Sequence, residues 1–231
     1  MKTICLVTAL YSDDVFIKPH YKMAVGVDKR IALIGKRPWP VHEIDHGVVA
    51  GAKPEEIIRK YYPDVEIRYT DLCADSSEHG IWETMANFYN HFIEIAKDYD
   101  YVTRFDVDML FTEQDWNKMI TFVKNNNYDY YRLNCENNSI NYYYDFEHGA
   151  RDATEREPMV LKTNQHFKCL VETEGGNGYT MEWPEWTCHH FRGWNKPKTY
   201  GDINSPPGYF QKMAKTTDFI KCPQEIRDLF K

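Results

Sequence analysis

The 231-residue chain has little of what several common protein classes depend on. Its six cysteines, Cys5, Cys73, Cys135, Cys169, Cys188 and Cys222, are widely scattered, with no CxxC pair and no zinc-finger spacing. That pattern argues against a structural zinc site, and the thiols are expected to be reduced and mostly core filling. No apolar run approaches the ~20 residues that cross a bilayer. The apolar stretch within the opening MKTICLVTALYSDD is also too short for a signal peptide, so a cytoplasmic protein without a transmembrane segment is expected. Basic residues are outnumbered, 28 Lys and Arg against 35 Asp and Glu, for a formal net charge of -7. No global field therefore draws the chain to nucleic acid or anionic lipid, which leaves only a local basic groove for such partners. Internal repeats, low-complexity tracts and linkers are absent as well.

What is present fits one well-packed domain. Hydrophobic residues at 42% and charged residues at 27% match globular usage, which excludes wholesale disorder. Aromatic content reaches 15%, with 17 Tyr and 6 Trp, enough rings to line a binding cleft as well as a core.

The order of patterns predicts an α/β fold. A β-branched run from Lys2 to Tyr11 reads as a buried strand feeding the polar turn Ser12-Asp13-Asp14. A helix over 15–27, a strand over 29–35, a helix opening at Pro54 and a strand over 64–69 follow. From Gly80 to Tyr99, the residues Ile81, Met85, Phe88, Phe92, Ile95 and Ala96 recur at steps of three and four, one face of a long helix. A strand over 101–105, a helix over 113–125 with Thr112 as N-cap, and a strand over 128–134 complete the first part. Such alternation implies a mainly parallel sheet with helices on both faces and ligands at the carboxyl ends of its strands. Shorter strands over 139–144, 158–161, 167–173 and 185–191 suggest a smaller antiparallel extension. The loop EGGNGY, Glu174 to Tyr179, is glycine-rich enough to be mobile, and one or two short helices are expected after Pro206.

Two motifs carry chemistry. In RFDVDMLF, Asp106 and Asp108 stand inside an apolar run, and on a strand alternate residues share a face. Two carboxylates there repel each other unless a divalent cation lies between them, and Mg²⁺ or Mn²⁺ suits oxygen ligands; the alternative is a turn of solvated aspartates. The stretch WTCHHFRGW, Trp186 to Trp194, offers an imidazole to complete such a site and Arg192 to bind a phosphate oxygen. On a strand His189 and His190 point to opposite faces, so one of them is the ligand, and His190 is preferred. Otherwise they are ordinary histidines beside a turn glycine.

With these motifs the chain resembles the GT-A glycosyltransferases, which pair a Rossmann-type half with a DxD metal motif. The resemblance rests on ICLVTALY with its polar turn, on MANFYNHFIEIAKDYDYV running into RFDVD, and on HHFRG, and covers roughly residues 3 to 194. It implies a GT-A-like fold in a single domain, 1–231, with residues 1–135 as the nucleotide-sugar-binding half and 136–231 as the acceptor-side half and tail. It further implies Thr8, Ala9 and Tyr11 near the base, Asp106 and Asp108 at a Mn²⁺ or Mg²⁺ ion and the donor, and His190 as a further ligand. The implied activity is transfer of a sugar from a nucleoside diphosphate sugar to a hydroxyl of a glycan, lipid-linked sugar, protein or modified nucleic acid.

The acidic pair that serves as general base in inverting members has no clear counterpart. Glu182 and Glu185 in MEWPEW are the candidates, as catalytic base or as solvated loop acids. Arg104 offsets the carboxylates, meets a pyrophosphate or forms a structural ion pair. Trp183 and Trp186 floor the site or pack, Asn87 and Asn90 face donor or solvent, and Tyr142-Tyr143-Tyr144 reads as a strand. A nucleotidyltransferase is the nearest rival, but the loop ALYSDDVF lacks the glycines of a phosphate loop. A non-catalytic nucleotide-sugar-binding module is the rival from a different class.

Overall fold

The computed structural model describes residues 1–10, 14–35, 52–72, 81–133, 140–142, 158–169, 172–181, 186–191 and 222–231. The chain is α/β. Its seven-stranded sheet contains β1 (Ile4–Leu10), β2 (Lys29–Gly35), β3 (Glu66–Thr70), β4 (Tyr101–Thr103), β6 (Tyr130–Leu133), β8 (Pro158–Lys162) and β11 (Gly178–Met181). The strand order is β11-β6-β8-β4-β1-β2-β3. All neighbouring pairs are parallel except those that β8 makes with β4 and β6. Two small sheets flank it: β9 (Phe167–Cys169) antiparallel to β10 (Glu172–Thr173), and β5 (Met109–Phe111), β12 (Cys188–His190) and β7 (Ile140–Tyr142) in the order β5-β12-β7.

Alternation along β1 sends Ile4, Leu6 and Leu10 into one core and Cys5 and Val7 into the other. The first core is covered by α1 (Asp14–Met23), α2 (Ala52–Tyr61) and α4 (Glu113–Asn125), through residues such as Phe16, Ile58, Trp116 and Ile120. The second is covered by α3 (Ile81–Ile95), through Phe88, Tyr89, Phe92 and Ile93. Helices thus lie on both faces, as the alternating sequence pattern implies. Burial in the second core holds the Cys5 thiol up at about 12, so it is a neutral core filler.

Chain order makes β1 a switch point. The chain steps outward through β2 and β3 on one side of β1 and then returns to β4 on the other. In such a sheet the adjacent carboxyl ends of β1 and β4 open onto a crevice.

Several expected boundaries shift. The first helix ends at Met23, four residues earlier than its pattern suggests, and Gly26 with φ +79° turns the chain toward β2. On α3 Ile93 is buried as well, and the expected Ile95 is half-buried and packs on the same core. The expected extension strand at 158–161 is β8, which inserts into the main sheet. Part of the loop read as mobile is the edge strand β11, paired in register with β6 from Gly178↔Tyr130 to Met181↔Leu133. Asp129 anchors its entry by accepting the Asn177 N–H at 2.8 Å while binding Lys162 Nζ at 2.7 Å. Gly176, at φ +105°, passes so close to Asp129 that a Cβ there would lie 2.9 Å from the Asp129 Cβ. The expected strand at 167–173 is divided into β9 and β10. Of the tail, α5 (Gln224–Leu229) is described; it packs on α1.

Thr112 caps α4 as expected, its hydroxyl accepting the Asp115 N–H at 3.1 Å. One turn on, Trp116 is fully buried, donates its indole N–H to the Val25 carbonyl at 2.6 Å, and packs against Phe105 and Phe111 at centroid distances of 5.8 and 5.7 Å. Trp116→Ala is expected to cost about 3–5 kcal/mol and Trp116→Phe about 1–2 kcal/mol, read as urea midpoints by circular dichroism. Equal midpoints for the two variants would contradict this packing.

Candidate active site

Asp106 and Asp108 do not lie on a strand, and the shared-face expectation is corrected by the backbone. β4 ends at Thr103, and the segment 106–109 is a tight turn closed by the Met109 N–H donating to the Asp106 carbonyl at 2.9 Å. The residues around the carboxylates are apolar and buried: Phe105, Val107, Met109, Leu110 and Phe111 are all at or below 2% exposure. Phe105 and Phe111 meet at 5.0 Å, edge to face, at the two ends of the turn. With the apolar residues committed to the core, the aspartates are left to project from it.

The chain leaves the turn in β5, which the sequence pattern did not reveal. β12 pairs with it antiparallel, in the register Cys188↔Phe111, His189↔Leu110 and His190↔Met109, and the Phe191 N–H donates to the Asp108 carbonyl at 3.0 Å. This ladder delivers His190 to the carboxylates. Its Nε2 lies 3.4 Å from Asp108 Oδ1, and ligand atoms of Asp106, Asp108 and His190 all fall within 4.8 Å of one another. Asp106 is exposed, Asp108 half-buried and His190 buried. Among the described residues this is the group of acids, cysteines and histidines placed to hold a metal ion. Two carboxylate oxygens and an imidazole nitrogen are a ligand set that fits a divalent cation.

His189 points the other way, as strand alternation requires, and burial lowers its imidazole to about 4. Beyond the strand, Phe191 is locked in an aromatic trio with Phe16 of α1 and Phe230 beside α5, at 5.6 to 5.8 Å.

Other sequence candidates separate. Thr8 is fully buried near the carboxyl end of β1, its hydroxyl 2.8 Å from His20 Nε2, and Ala9 beside it is half-buried. Arg104 is 2% exposed; its guanidinium lies 3.6 Å from the Tyr89 ring centroid and donates to the Tyr89 hydroxyl at 2.9 Å. Asn90 holds β9, its amide giving and taking hydrogen bonds with the Phe167 backbone at 3.0 and 2.7 Å, and Asn87 is exposed. Trp186 is packed against Phe122 and Tyr179, with Lys118 Nζ 5.2 Å from its ring centroid. Tyr11, Glu182, Trp183, Glu185 and Arg192 lie outside the described residues, as do Tyr143 and Tyr144.

His20 was missed. Phe16, Ile17, His20, Tyr21 and Ala24 recur at helical spacing and all are buried, a pattern that marks His20 as a core position and nothing more. Burial lowers its imidazole to about 4, against opposing pulls from the Met109 backbone and the Asp108 charge.

No protein-family model and no curated protein sequence matches the chain. Solved structures do match in fold. S. aureus TarS residues 1-349 aligns over 99% of this chain and 77% of its own, with a TM-score of 0.52 and 8% identity. The complex of the same protein with UDP aligns over 82% and 60%, at TM-score 0.52 and 8% identity. That with UDP-GlcNAc aligns over 91% and 64%, at TM-score 0.52 and 7% identity. Against a longer TarS chain this one spans 36% of the length. At such identities the likeness establishes the fold. Among the described residues no helix is long and apolar enough to cross a membrane.

His20 gives a pH dependence whose sign follows from its lowered value. Between pH 6.5 and about 4 the unfolded chain binds a proton that the folded chain refuses. Its stabilising contribution is therefore complete above pH 6.5 and is lost as pH falls. By NMR, the His20 imidazole is expected to show no titration down to about pH 5. A midpoint near the ordinary 6.5 would refute the buried, neutral ring.

Proposed function

We propose that the chain is a divalent-metal-dependent glycosyltransferase, moving a sugar from a nucleoside diphosphate sugar to a hydroxyl acceptor. The observation that carries this reading is the convergence of Asp106, Asp108 and His190, drawn from a turn and a distant strand, beside the sheet's switch point. The fold likeness to a protein solved with UDP and with UDP-GlcNAc supports a uridine nucleotide as the first donor to test.

In this reading Asp106, Asp108 and His190 hold Mn²⁺ or Mg²⁺, which when bound neutralises charge growing on the diphosphate leaving group. The chain's own groups do the rest. Asp106, the exposed member, meets the incoming donor, while the buried His190 keeps Asp108 turned toward the same point. Ala9 and Tyr11 are assigned to the base, together with the buried Thr8. Arg104, held on Tyr89, keeps positive charge under the turn, and Arg192 binds a phosphate oxygen.

In the transfer, the acceptor oxygen bonds to the anomeric carbon as that carbon's bond to the phosphate oxygen breaks, the phosphate keeping the electron pair. The acceptor proton passes to Glu182 or Glu185 if configuration inverts; a retaining transfer needs neither. Residues 1–135 form the donor half of one domain and 136–231 the acceptor side, although β8 and β11 of the latter complete the donor sheet.

The test is thermal shift with nucleotides and nucleotide sugars, each with and without Mn²⁺. A ligand that binds the folded state alone raises the midpoint. UDP with Mn²⁺ is expected to raise it more than either alone, and Asp108→Asn to remove the metal-dependent part without unfolding the chain. An unchanged response in Asp108→Asn would sink the metal site. Donor binding without release of UDP from any UDP-sugar would favour a non-catalytic binding module.

A further inference from the structure

The two residues before Asp106 are anchored on opposite faces of the sheet. Side chains alternate along β4, Tyr101 entering the first core and Val102 the second. Arg104 carries the strand pairing one step further, its backbone N–H donating to the Met159 carbonyl of β8 at 2.9 Å. Its side chain lies against α3, and Phe105 returns to the first core against Phe111 and Trp116. The exposed Asp106 follows at once.

Arg104 is 2% exposed, a position where a guanidinium loses most of its hydration. Tyr89 of α3, itself buried, receives it. The guanidinium carbon lies 3.6 Å from the Tyr89 ring centroid, and Nη2 donates to the Tyr89 hydroxyl at 2.9 Å. One side chain thus supplies both a face to stack on and an acceptor that fixes the direction of the guanidinium fork. Tyr89 is wedged in turn, with the ring centroids of Phe92 and Phe167 at 5.7 and 5.5 Å. Asn90, the next residue on α3, ties the Phe167 backbone to the same helix. An apolar side chain at position 104 would fill the space without the loss of hydration. The guanidinium adds a directed contact, running from the entry of the Asp106 turn to a packed helix.

We propose that Tyr89 is a positioning residue for the metal site: through Arg104 it anchors the entry of the Asp106–Asp108 turn to α3, opposite the anchor that Phe105 makes on the other face. The inference rests on the metal reading of that site and gives Arg104 a geometric task besides its charge. Groups outside the ligand shell hold ligands in place in this way in metal sites. Geometry and charge predict opposite signs. A positive charge near a cation site weakens cation binding, so removing it would by itself raise the affinity, whereas loss of an anchor lowers it.

The probe is Mn²⁺ alone, its uptake read from the electron paramagnetic resonance of the free ion, with circular dichroism to confirm folding. Tyr89→Phe keeps the ring and loses the hydroxyl; its Mn²⁺ affinity is expected to fall about threefold or more. Arg104→Met removes the charge and the fork, and its affinity is expected to fall about tenfold. Because the two residues act through one contact, the double variant is expected to lose no more than Arg104→Met alone. Losses that multiply would show independent effects and overturn the proposal. So would a folded Tyr89→Phe chain with unchanged affinity, whatever its unfolding midpoint, or a rise in Arg104→Met, which would leave Arg104 a role through charge alone. Asp108→Asn run beside them separates the two ideas: loss there with none in Tyr89→Phe overturns the positioning role alone. No loss in Asp108→Asn, or no uptake by the unmodified chain, overturns the metal reading with it. If Arg104→Met does not fold, Tyr89→Phe decides, a loss supporting the anchor and an unchanged affinity overturning it.

Discussion

Everything that gives this chain a site depends on a ladder of three residue pairs between β5 and β12. The two strands come from segments roughly eighty residues apart, and each is too short to persist alone. Their register matters more than their length. A slip of one residue would turn His190 to the other face and present His189, which points into the protein. The ladder thus selects which of two adjacent histidines joins the carboxylates.

What holds so short a ladder is a set of rings at its ends. Phe105, Phe111 and Trp116 close the turn from the side of α4, and Phe16, Phe191 and Phe230 fix the far end of β12 against α1 and the C-terminal segment. Each such ring contributes about 1.5–3 kcal/mol on full burial, against the modest net worth of a strand hydrogen bond. The polar geometry of the site is therefore imposed by apolar packing. Helix α1 has a double part, lending Phe16 to the second trio and meeting the Phe111 N–H of β5 with the Met23 sulfur.

The sequence revealed those features whose signal is local. The 3.6-residue period of α3, the Thr112 cap and the β-branched runs of β1 and β2 needed no partner to be read. The turn at Asp106 and the strand β5 could not be read this way. RFDVDMLF is consistent with one continuous strand, and only pairing with β12 breaks it in two. β8 failed for a related reason: its sequence, PMVLK, marks a buried strand but says nothing of which strands it will separate. The pairing of Asp106 and Asp108 with His190 was legible because charged and imidazole groups inside apolar runs stand out. His20 was not, because a histidine on the apolar face of a helix looks like any other core residue.

The graded exposure of the three candidate ligands bears on how the site works. Asp106 faces solvent, Asp108 is half covered, and His190 has 6% of its side chain exposed. Under the proposed function, an ion and a diphosphate would meet the exposed Asp106 first, where water still screens like charges, and complete their contacts toward a drier interior where attraction is stronger. The buried side must then be rigid, since a ligand that shifted on binding would give back part of that attraction. The ladder, the two ring trios and the Met23 contact to β5 all brace that side. The fold thus puts its stiffness behind His190 and Asp108 and leaves Asp106 exposed at the mouth.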